Sequence, residues 1–210
     1  DLLGLWIAAA GDVNGDGYGD VVIGAEGYDN GQTDEGRAYL FLGSASGLSA
    51  TAAWTKDGNQ AGASFGCSVA TAGDVNGDGY DDVIIGADRY DNVQTDEGRA
   101  FVYRGNASGL GDSPVWTGES DSDSGFYGCS VGTAGDINGD GRGDVIVGAY
   151  GYGRAYVYLG TTSGVSSLPV WVGTGDAGAG SYGQAVSTAG DLDGDGYSDL
   201  IVGAPTYADP

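Results

Sequence analysis

The sequence predicts an all-β protein built from repeated four-stranded antiparallel units, the blades of a β-propeller. One motif of 15 residues recurs four times, and short β-branched and aromatic runs separated by Gly, Asn and Asp follow its copies. No segment keeps the period of an amphipathic helix. Because a single four-stranded sheet has two apolar faces, stacking against neighbouring units is the way to bury both.

The repeated motif sets the domain organisation. Its copies align without gaps, and the third unit is shortened where YDNVQTDEGRA of the second unit becomes YGRA. Length variation confined to one connection marks a surface loop. The spacing predicts one continuous repeat domain, with blades at residues 1–60, 61–121 and 122–177 and a half blade at 178–210. The copies are GDVNGDGYGDVVIGA from Gly11, GDVNGDGYDDVIIGA from Gly73, GDINGDGRGDVIVGA from Gly135 and GDLDGDGYSDLIVGA from Gly190.

Each complete unit is predicted to contain four strands. The second strand is the apolar end of the motif, VVIGA in the first copy, and its continuous β-branched run is typical of a strand buried on both faces. The aromatic residues of the later strands are expected to pack between blades. The first strands are predicted at residues 3–8, 65–70, 127–132 and 182–187. The third begin at Arg37, Arg99 and Arg154, and the fourth lead to Trp54, Trp116 and Trp171.

Within each motif, the pattern D-x-[ND]-x-D-G-x-x-D predicts a cation-binding loop. Alternate residues of a tightly curled loop point inward, so side chains at positions 1, 3 and 5 converge, and the glycine at position 6 permits the bend. The carbonyl at position 7 and the Asp at position 9 complete an all-oxygen shell, which fits about four Ca²⁺ ions, one in each loop. Zinc is disfavoured because there is no His and no cluster of Cys. The predicted ligands are Asp12, Asn14, Asp16, Tyr18, Asp20, Asp74, Asn76, Asp78, Tyr80, Asp82, Asp136, Asn138, Asp140, Arg142, Asp144, Asp191, Asp193, Asp195, Tyr197 and Asp199.

These loops differ from the EF-hand loop in an informative way. An EF-hand needs a bidentate Glu at position 12 and a helix on each side. Position 12 is apolar here and lies within the second strand, so each loop joins two strands. The alternative reading, four solvated turns, would crowd carboxylates together with nothing to offset their repulsion. The residues at position 12 are Ile23, Ile85, Val147 and Val202.

The overall charge of the chain bears on whether it binds nucleic acids or membranes. The chain has 30 acidic and 7 basic residues and a net charge of −23. Such a chain does not neutralise nucleic-acid phosphates and is repelled by anionic membranes. No apolar run approaches the roughly 20 residues that span a bilayer, so neither nucleic acid nor membrane insertion is expected.

Few residues offer catalytic chemistry, and the chain is predicted not to be an enzyme. Without His there is no Ser-His-Asp arrangement. Cys67 and Cys129 occupy equivalent positions in first strands and are expected to be buried packing residues. Glu35 and Glu97, in the QTDEGRA segments, are the candidates for a carboxylate-based glycosidase outside the predicted metal loops.

Two short motifs flank the loops and carry a family resemblance. Phe65-Gly66 precedes one loop, and Gly203-Ala204-Pro205 ends the strand after another. Together with the DxNxDGxxD loop they resemble the FG-GAP repeat, known from the seven-bladed propeller of integrin α subunits and from secreted bacterial proteins. The SGLS…W connections look more like the bacterial branch. The Phe-Gly pair is replaced by Leu3-Gly4, Tyr127-Gly128 and Tyr182-Gly183 in the other units.

The resemblance implies structural Ca²⁺ sites that stiffen a hairpin on one face of the disc, and partner binding on the opposite face. It also implies about three and a half blades, a partial propeller. Because a half blade leaves an unpaired strand edge, we expect either the rest of a larger propeller or other copies of the chain to complete it.

Three functions are compatible with these features. The first is a calcium-binding, extracellular or cell-surface scaffold or adhesion module that binds a protein or glycan ligand. The second is a self-assembling structural subunit of an extracellular filament or surface layer. A polysaccharide-active enzyme is the third, and it has the least support from the sequence.

Overall fold

The computed structural model describes residues 4–176 and 179–207, and these contain only β-strands and one 3₁₀ turn, Tyr150–Tyr152. Three four-stranded antiparallel sheets follow one another along the chain. Each sheet keeps its long strands in chain order, so every neighbour in space is also the neighbour in sequence. The predicted all-β fold with four-stranded blades is confirmed.

The strands of the three blades have the following bounds. Blade 1 consists of β1 (Trp6–Gly11), β2 (Asp20–Ala25), β3 (Arg37–Phe41) and β4 (Trp54–Asp57). Blade 2 consists of β5 (Ser68–Gly73), β6 (Asp82–Ala87), β7 (Arg99–Tyr103) and β10 (Trp116–Glu119), with the small hairpin β8 (Gly105–Asn106) and β9 (Gly109–Leu110). Blade 3 consists of β11 (Tyr127–Gly135), β12 (Asp144–Ala149), β13 (Arg154–Tyr158) and β16 (Trp171–Thr174), with the hairpin β14 (Gly160–Thr161) and β15 (Gly164–Val165).

The last segment forms two strand pairs, which we call half blade 4. In the longer pair, β18 runs antiparallel to β19. A shorter pair joins β17 to β20. The bounds are β17 (Ala179–Gly180), β18 (Ala185–Gly190), β19 (Asp199–Gly203) and β20 (Thr206–Tyr207).

Some strand limits differ from the prediction. β1, β5 and β18 each begin three residues later than expected, and Leu3 lies outside the described residues. In all three, a glycine with positive φ, such as Gly66 at +87°, turns the chain before the ladder starts. β11 includes the equivalent Gly128 and begins at Tyr127, as predicted. Trp54 begins its strand rather than ending the segment that leads to it. The small hairpins β8–β9 and β14–β15 were not predicted.

The hydrophobic core lies between the blades. Trp54 of blade 1 packs on Tyr103 of blade 2 with ring centroids 5.1 Å apart. Trp116 of blade 2 packs on Tyr158 of blade 3 in the same way, at 4.9 Å. β6 and β12 are buried along their whole length, as predicted. Each buried cluster therefore joins two consecutive blades.

A backbone contact at each blade junction explains the two flanking motifs. Gly24 near the end of β2 meets Gly66 of the next blade so closely that a Cβ at Gly24 would overlap the Gly66 carbonyl oxygen. Gly86 and Gly128 repeat this contact at the next junction. Since only glycine allows such an approach, the Phe-Gly and Gly-Ala dipeptides are two sides of one interface.

The QTDEGR segments also join neighbouring blades. We call residues 28–36 and 90–98 the clasp loops. In the first, the carbonyls of Asp34 and Glu35 accept hydrogen bonds from the backbone N–H groups of Ser64 and Phe65, both at 3.2 Å. The second makes equivalent bonds to the segment that enters blade 3. The Arg side chains instead pair within a blade, as Arg37 does with Asp57.

Candidate metal centres

We number the predicted metal loops 1 to 4 in chain order, and their first ligands are Asp12, Asp74, Asp136 and Asp191. In loop 1, the first ligand lies inside the curl of its own backbone. Oδ1 of Asp12 accepts hydrogen bonds from the backbone N–H groups of Gly15 at 2.8 Å and Asp16 at 3.1 Å, and Oδ2 accepts one from Gly17 at 2.8 Å. The bend requires φ of +87° at Gly17. Asp74, Asp136 and Asp191 make the same three bonds in the other loops.

The side chains at positions 3 and 5 lie together in each loop. In loop 1, Nδ2 of Asn14 donates to Oδ2 of Asp16 at 3.0 Å. Loop 4 has Asp193 in place of the Asn, and one oxygen each of Asp191, Asp193 and Asp195 lies within 4.8 Å of the others. Among residues 4–176 and 179–207, no other trio of acidic, Cys or His side chains meets this criterion. Positions 1, 3 and 5 of loop 4 thus bring three carboxylates together.

The Asp at position 9 has a structural function that the sequence did not predict. Both oxygens of the buried Asp20 accept backbone hydrogen bonds, Oδ2 from Val13 at 2.9 Å and Oδ1 from Gly43 at 2.8 Å. Asp82 and Asp144 make the same two bonds in blades 2 and 3. This carboxylate therefore ties the loop to the turn that follows the third strand. Each oxygen retains a lone pair that a cation can use.

The electrostatics of positions 1 and 9 differ. Burial raises the pKa of Asp82 to about 7, and this outweighs the hydrogen bonds from Gly105 and Val75. Burial likewise raises the pKa of Asp20 and Asp144. At position 1 of loop 3, burial is outweighed by the N–H groups of the loop, and the pKa of Asp136 is lowered. A nearby cation would favour the ionised form at position 9, so the donor set fits a bound divalent ion.

Side chains at position 7 lie outside the loop, which leaves the backbone carbonyl as the ligand that was predicted there. The Tyr80 ring covers Gly15 of loop 1, and a Cβ at Gly15 would lie 2.8 Å from its Cε1. The Arg142 guanidinium instead pairs with the carboxylate of Asp140 in the same loop, with Nη1 and Oδ2 3.3 Å apart. In loop 3, a basic side chain therefore competes with a cation for the predicted ligand Asp140.

The four loops form a row along one end of the blades. The backbone N–H at position 8 of each later loop donates to the carbonyl at position 1 of the loop before it. These bonds join Asp81 to Asp12 at 3.1 Å, Gly143 to Asp74 at 2.9 Å and Ser198 to Asp136 at 3.0 Å. This contact could not be predicted from the sequence, because its partners lie in different repeats.

The opposite end of the second strands carries two open cavities. One, of about 250 Å³, lies between blades 1 and 2 and is lined by Glu26, Asp34, Ser64, Asp88 and Arg89 among others. The other, of about 270 Å³, lies beside the first strands and includes both cysteines. Loops and cavities are thus separated by the length of a strand.

The residues considered for catalysis are not placed for it. Glu35 and Glu97 are buried and line neither cavity. Burial raises the pKa of the Cys67 thiol well above its usual value and that of Cys129 to about 12, which disfavours a thiolate.

No helix in the described part of the chain is long and apolar enough to cross a membrane.

Comparisons with known proteins agree with this architecture. The FG-GAP repeat model matches residues 4–41 and 65–103, and the FG-GAP-like repeat model matches residues 136–202. The chain is 35% identical to integrin alpha-6 of Gallus gallus, 39% to integrin alpha-7 of Homo sapiens and 38% to integrin alpha-PS2 of Drosophila melanogaster. These alignments cover 70%, 67% and 70% of this chain but 14%, 12% and 12% of the relatives. The chain therefore matches only a small part of each relative.

Proposed function

Since this chain belongs to the FG-GAP repeat family, we propose that it is a calcium-binding β-propeller module of an extracellular or cell-surface adhesion protein, with structural Ca²⁺ in its four loops. The observation that carries the proposal is the convergence of oxygen donors in every loop. Asp191, Asp193 and Asp195 bring three carboxylates within 4.8 Å of one another, and a bound cation would offset their mutual repulsion.

The proposed ligands are those at positions 1, 3, 5, 7 and 9 of each loop. Bound Ca²⁺ would supply the positive charge that holds the two ends of the loop together. The chain itself holds the oxygen ligands in place. Three backbone N–H groups orient the carboxylate at position 1 of each loop, and in loops 1 to 3 two more hold the carboxylate at position 9. The binding energy of the ion is then available to stiffen the first hairpin of each blade.

The adhesion assignment is supported by the relatives, whose names are those of integrin α subunits. We place the ligand-binding surface at the end of the blades that carries the cavities, where Glu26, Asp34 and Asp88 surround Arg89. A protein or glycan with cationic or hydroxyl groups fits this polar lining. Because the loops occupy the other end, calcium would act on this surface through the rigidity of the strands.

One observation favours a second candidate, self-assembly. Trp54 and Trp116 are 8% and 9% exposed because the next blade covers them, whereas Trp171 of blade 3 is 42% exposed. Ile201 of half blade 4 is 59% exposed, although its equivalent Ile146 is fully buried. This face has the composition of a blade junction. Another copy of the chain would cover it in a filament or a closed ring.

Calcium binding is tested by metal content and thermal melting. We expect the protein equilibrated with millimolar Ca²⁺ to bind about four ions and to lose them in excess chelator, with a clear fall in Tm. Asp16→Ala should remove one ion, whereas Asp112→Asn, at an exposed acid outside the loops, should remove none. Equal melting temperatures with and without chelator would overturn the proposal.

The two candidates differ in the mass of the particle in solution. Light scattering on a sizing column, in calcium and then in chelator, distinguishes them. A calcium-dependent oligomer that Trp171→Ser disperses supports assembly. A monomer at all concentrations in calcium supports the adhesion module and removes the filament.

A further inference from the structure

One residue of loop 2 holds the first ligand of loop 1 from both sides. The backbone N–H of Asp81 donates to the carbonyl oxygen of Asp12 at 3.1 Å. The Asp81 carboxylate, through Oδ2, accepts the N–H of Asp12 at 2.8 Å. Both peptide groups that flank the Asp12 side chain are therefore bonded to a single residue of the next blade.

Asp81 is itself positioned by loop 2. It occupies position 8 of that loop, between Tyr80 and Asp82, whose carbonyl and carboxylate are proposed ligands at positions 7 and 9. An ion in loop 2 would fix Asp81 through both of its chain neighbours. The Tyr80 ring adds a third contact, because it lies against Gly15 of loop 1.

We propose that loops 1 and 2 bind Ca²⁺ cooperatively and that Asp81 is the residue that couples them. This inference rests on the proposed function, since it concerns the same ions. An ion in loop 2 orders Asp81, Asp81 orders Asp12, and loop 1 then loses less conformational entropy when its own ion binds. The coupling is reciprocal, so an ion in loop 1 strengthens binding in loop 2 by the same factor.

The other junctions provide an internal reference. Loop 3 has Gly143 at position 8, so it keeps the backbone bond to Asp74 but has no carboxylate to accept the N–H. Asp12 is thus held by two hydrogen bonds to the next loop, whereas Asp74 is held by one. Repulsion between neighbouring ions opposes cooperativity, and at physiological ionic strength salt largely screens this repulsion at separations beyond about 8 Å. The direct bonds are unaffected by such screening at their short distances.

The test follows each loop separately during a calcium titration of ¹⁵N-labelled protein. The amides of Gly17 and Gly79, at position 6 of loops 1 and 2, report the two sites. We expect Asp81→Ala to weaken binding in loop 1 at least about fivefold. Asp81→Asn should stay close to wild type, because its amide oxygen still accepts the N–H of Asp12 while the charge is gone.

Two further variants make the result specific. Asp78→Ala, which disables loop 2, should weaken loop 1 as much as Asp81→Ala or more. Asp195→Ala in loop 4 is the control, because that loop contacts loop 3 and not loop 1. In the reverse direction, Asp16→Ala in loop 1 should weaken binding at the Gly79 site by a similar factor.

The outcomes separate this inference from the proposed function. If neither glycine responds to calcium, the proposed function fails. If both respond and loop 1 keeps its affinity in Asp81→Ala and Asp78→Ala, the ions bind but the coupling is wrong. Equal losses in Asp81→Ala and Asp81→Asn would also overturn it, because charge and not the hydrogen bond would then be responsible. Unchanged peaks of blade 3 glycines verify that each variant is folded.

Discussion

At the scale of single residues, the closest contacts are those between the backbones of the paired glycines at the blade junctions. Gly86 lies near the end of β6 against the carbonyl of Gly128, and nothing there can move without shifting a strand. We expect Gly86→Ala to lower the free energy of unfolding by about 1 to 3 kcal/mol through overpacking. Gly19→Ala is the matched control, since a Cβ there meets no atom within 4 Å. Urea denaturation with calcium held constant measures both, and equal stabilities would contradict the contact.

The ion pair of Arg37 and Asp57 gives a prediction for pH. The hydrogen bond from Arg37 lowers the pKa of Asp57, partly opposed by burial and assisted by Asn30. A carboxyl with a lowered pKa stabilises the fold above its unfolded value, near pH 4, and this contribution is lost as the pH falls through the folded value. The pair is partly exposed, so its contribution is about 1 kcal/mol or less.

We therefore expect Asp57→Asn to melt below wild type at pH 7 and to approach it below about pH 3. Thermal melts of both proteins between pH 7 and pH 2.5 measure the difference between their melting temperatures. Titration of the loop carboxylates affects both proteins alike and cancels from this difference. A constant offset at every pH would mean that Asp57 acts by packing alone.

The sequence was informative about residue types and less so about their partners. Asp12, Asp16 and Asp20 follow a spacing that predicts their loop, because all three lie within nine residues. The bonds from Gly43 to Asp20 and from Asp12 to Asp81 link residues that are 23 and 69 positions apart, and no local pattern encodes them. The sequence alone therefore predicts neither the second function of Asp20 nor the contact between the loops.

The clasp loops are the elements that most distinguish one junction from another. Blade 3 has none, since its connection is the short turn Tyr150–Tyr152. The carbonyls of Thr95, Asp96 and Glu97 accept backbone N–H groups at 2.7, 3.1 and 3.1 Å from the segment that enters blade 3. Blades 2 and 3 are therefore held by backbone bonds in addition to their shared core.

Removal of residues 91–97 would give blade 2 the connection that blade 3 has naturally. At about 1 kcal/mol for each of three hydrogen bonds, we expect a loss of about 2 to 4 kcal/mol, because the shorter loop recovers little entropy. Urea denaturation measures the loss. The equivalent deletion of residues 29–35 in blade 1 is the control, and it should weaken the junction of blades 1 and 2 instead. Unchanged stability in both would show that the clasps only cover the surface.

Element boundaries were predictable where composition changes sharply. β2, β6 and β12 end with the predicted apolar runs, and their limits differ from the prediction only in that each begins one residue earlier, at the last Asp of its loop. The hairpins β8–β9 and β14–β15 are only two residues per strand and contain mainly Gly and Asn or Thr. Such segments have no alternation of polar and apolar residues from which a strand can be predicted.

At the scale of the whole molecule, stability is a sum of junctions, because each core cluster joins two consecutive blades. β12 has blades on both sides, whereas β19 is partly exposed along its length. We expect hydrogen exchange to be slowest in β6 and β12 and fastest in β18 and β19. Exchange followed by mass spectrometry tests this order, and uniform protection from Trp6 to Gly203 would contradict it.

The repeats made the propeller architecture predictable from sequence alone, since four equivalent units with apolar faces must stack. The sequence does not predict how many units surround the propeller axis. That number depends on what covers Trp171 and Ile201, which are exposed although their counterparts Trp54, Trp116 and Ile146 are buried.

The row of loops also makes the molecule asymmetric from end to end. The acidic loops of neighbouring repeats meet at one end of the blades, while glycine pairs hold the other end together. Without the proposed Ca²⁺ ions, repulsion between the loops would separate the blades at the loop end and leave the opposite end in contact. The curvature of the array, and with it the width of the cavities around Asp88, would then vary with calcium concentration. Small-angle scattering would detect this as a change in radius of gyration at constant mass.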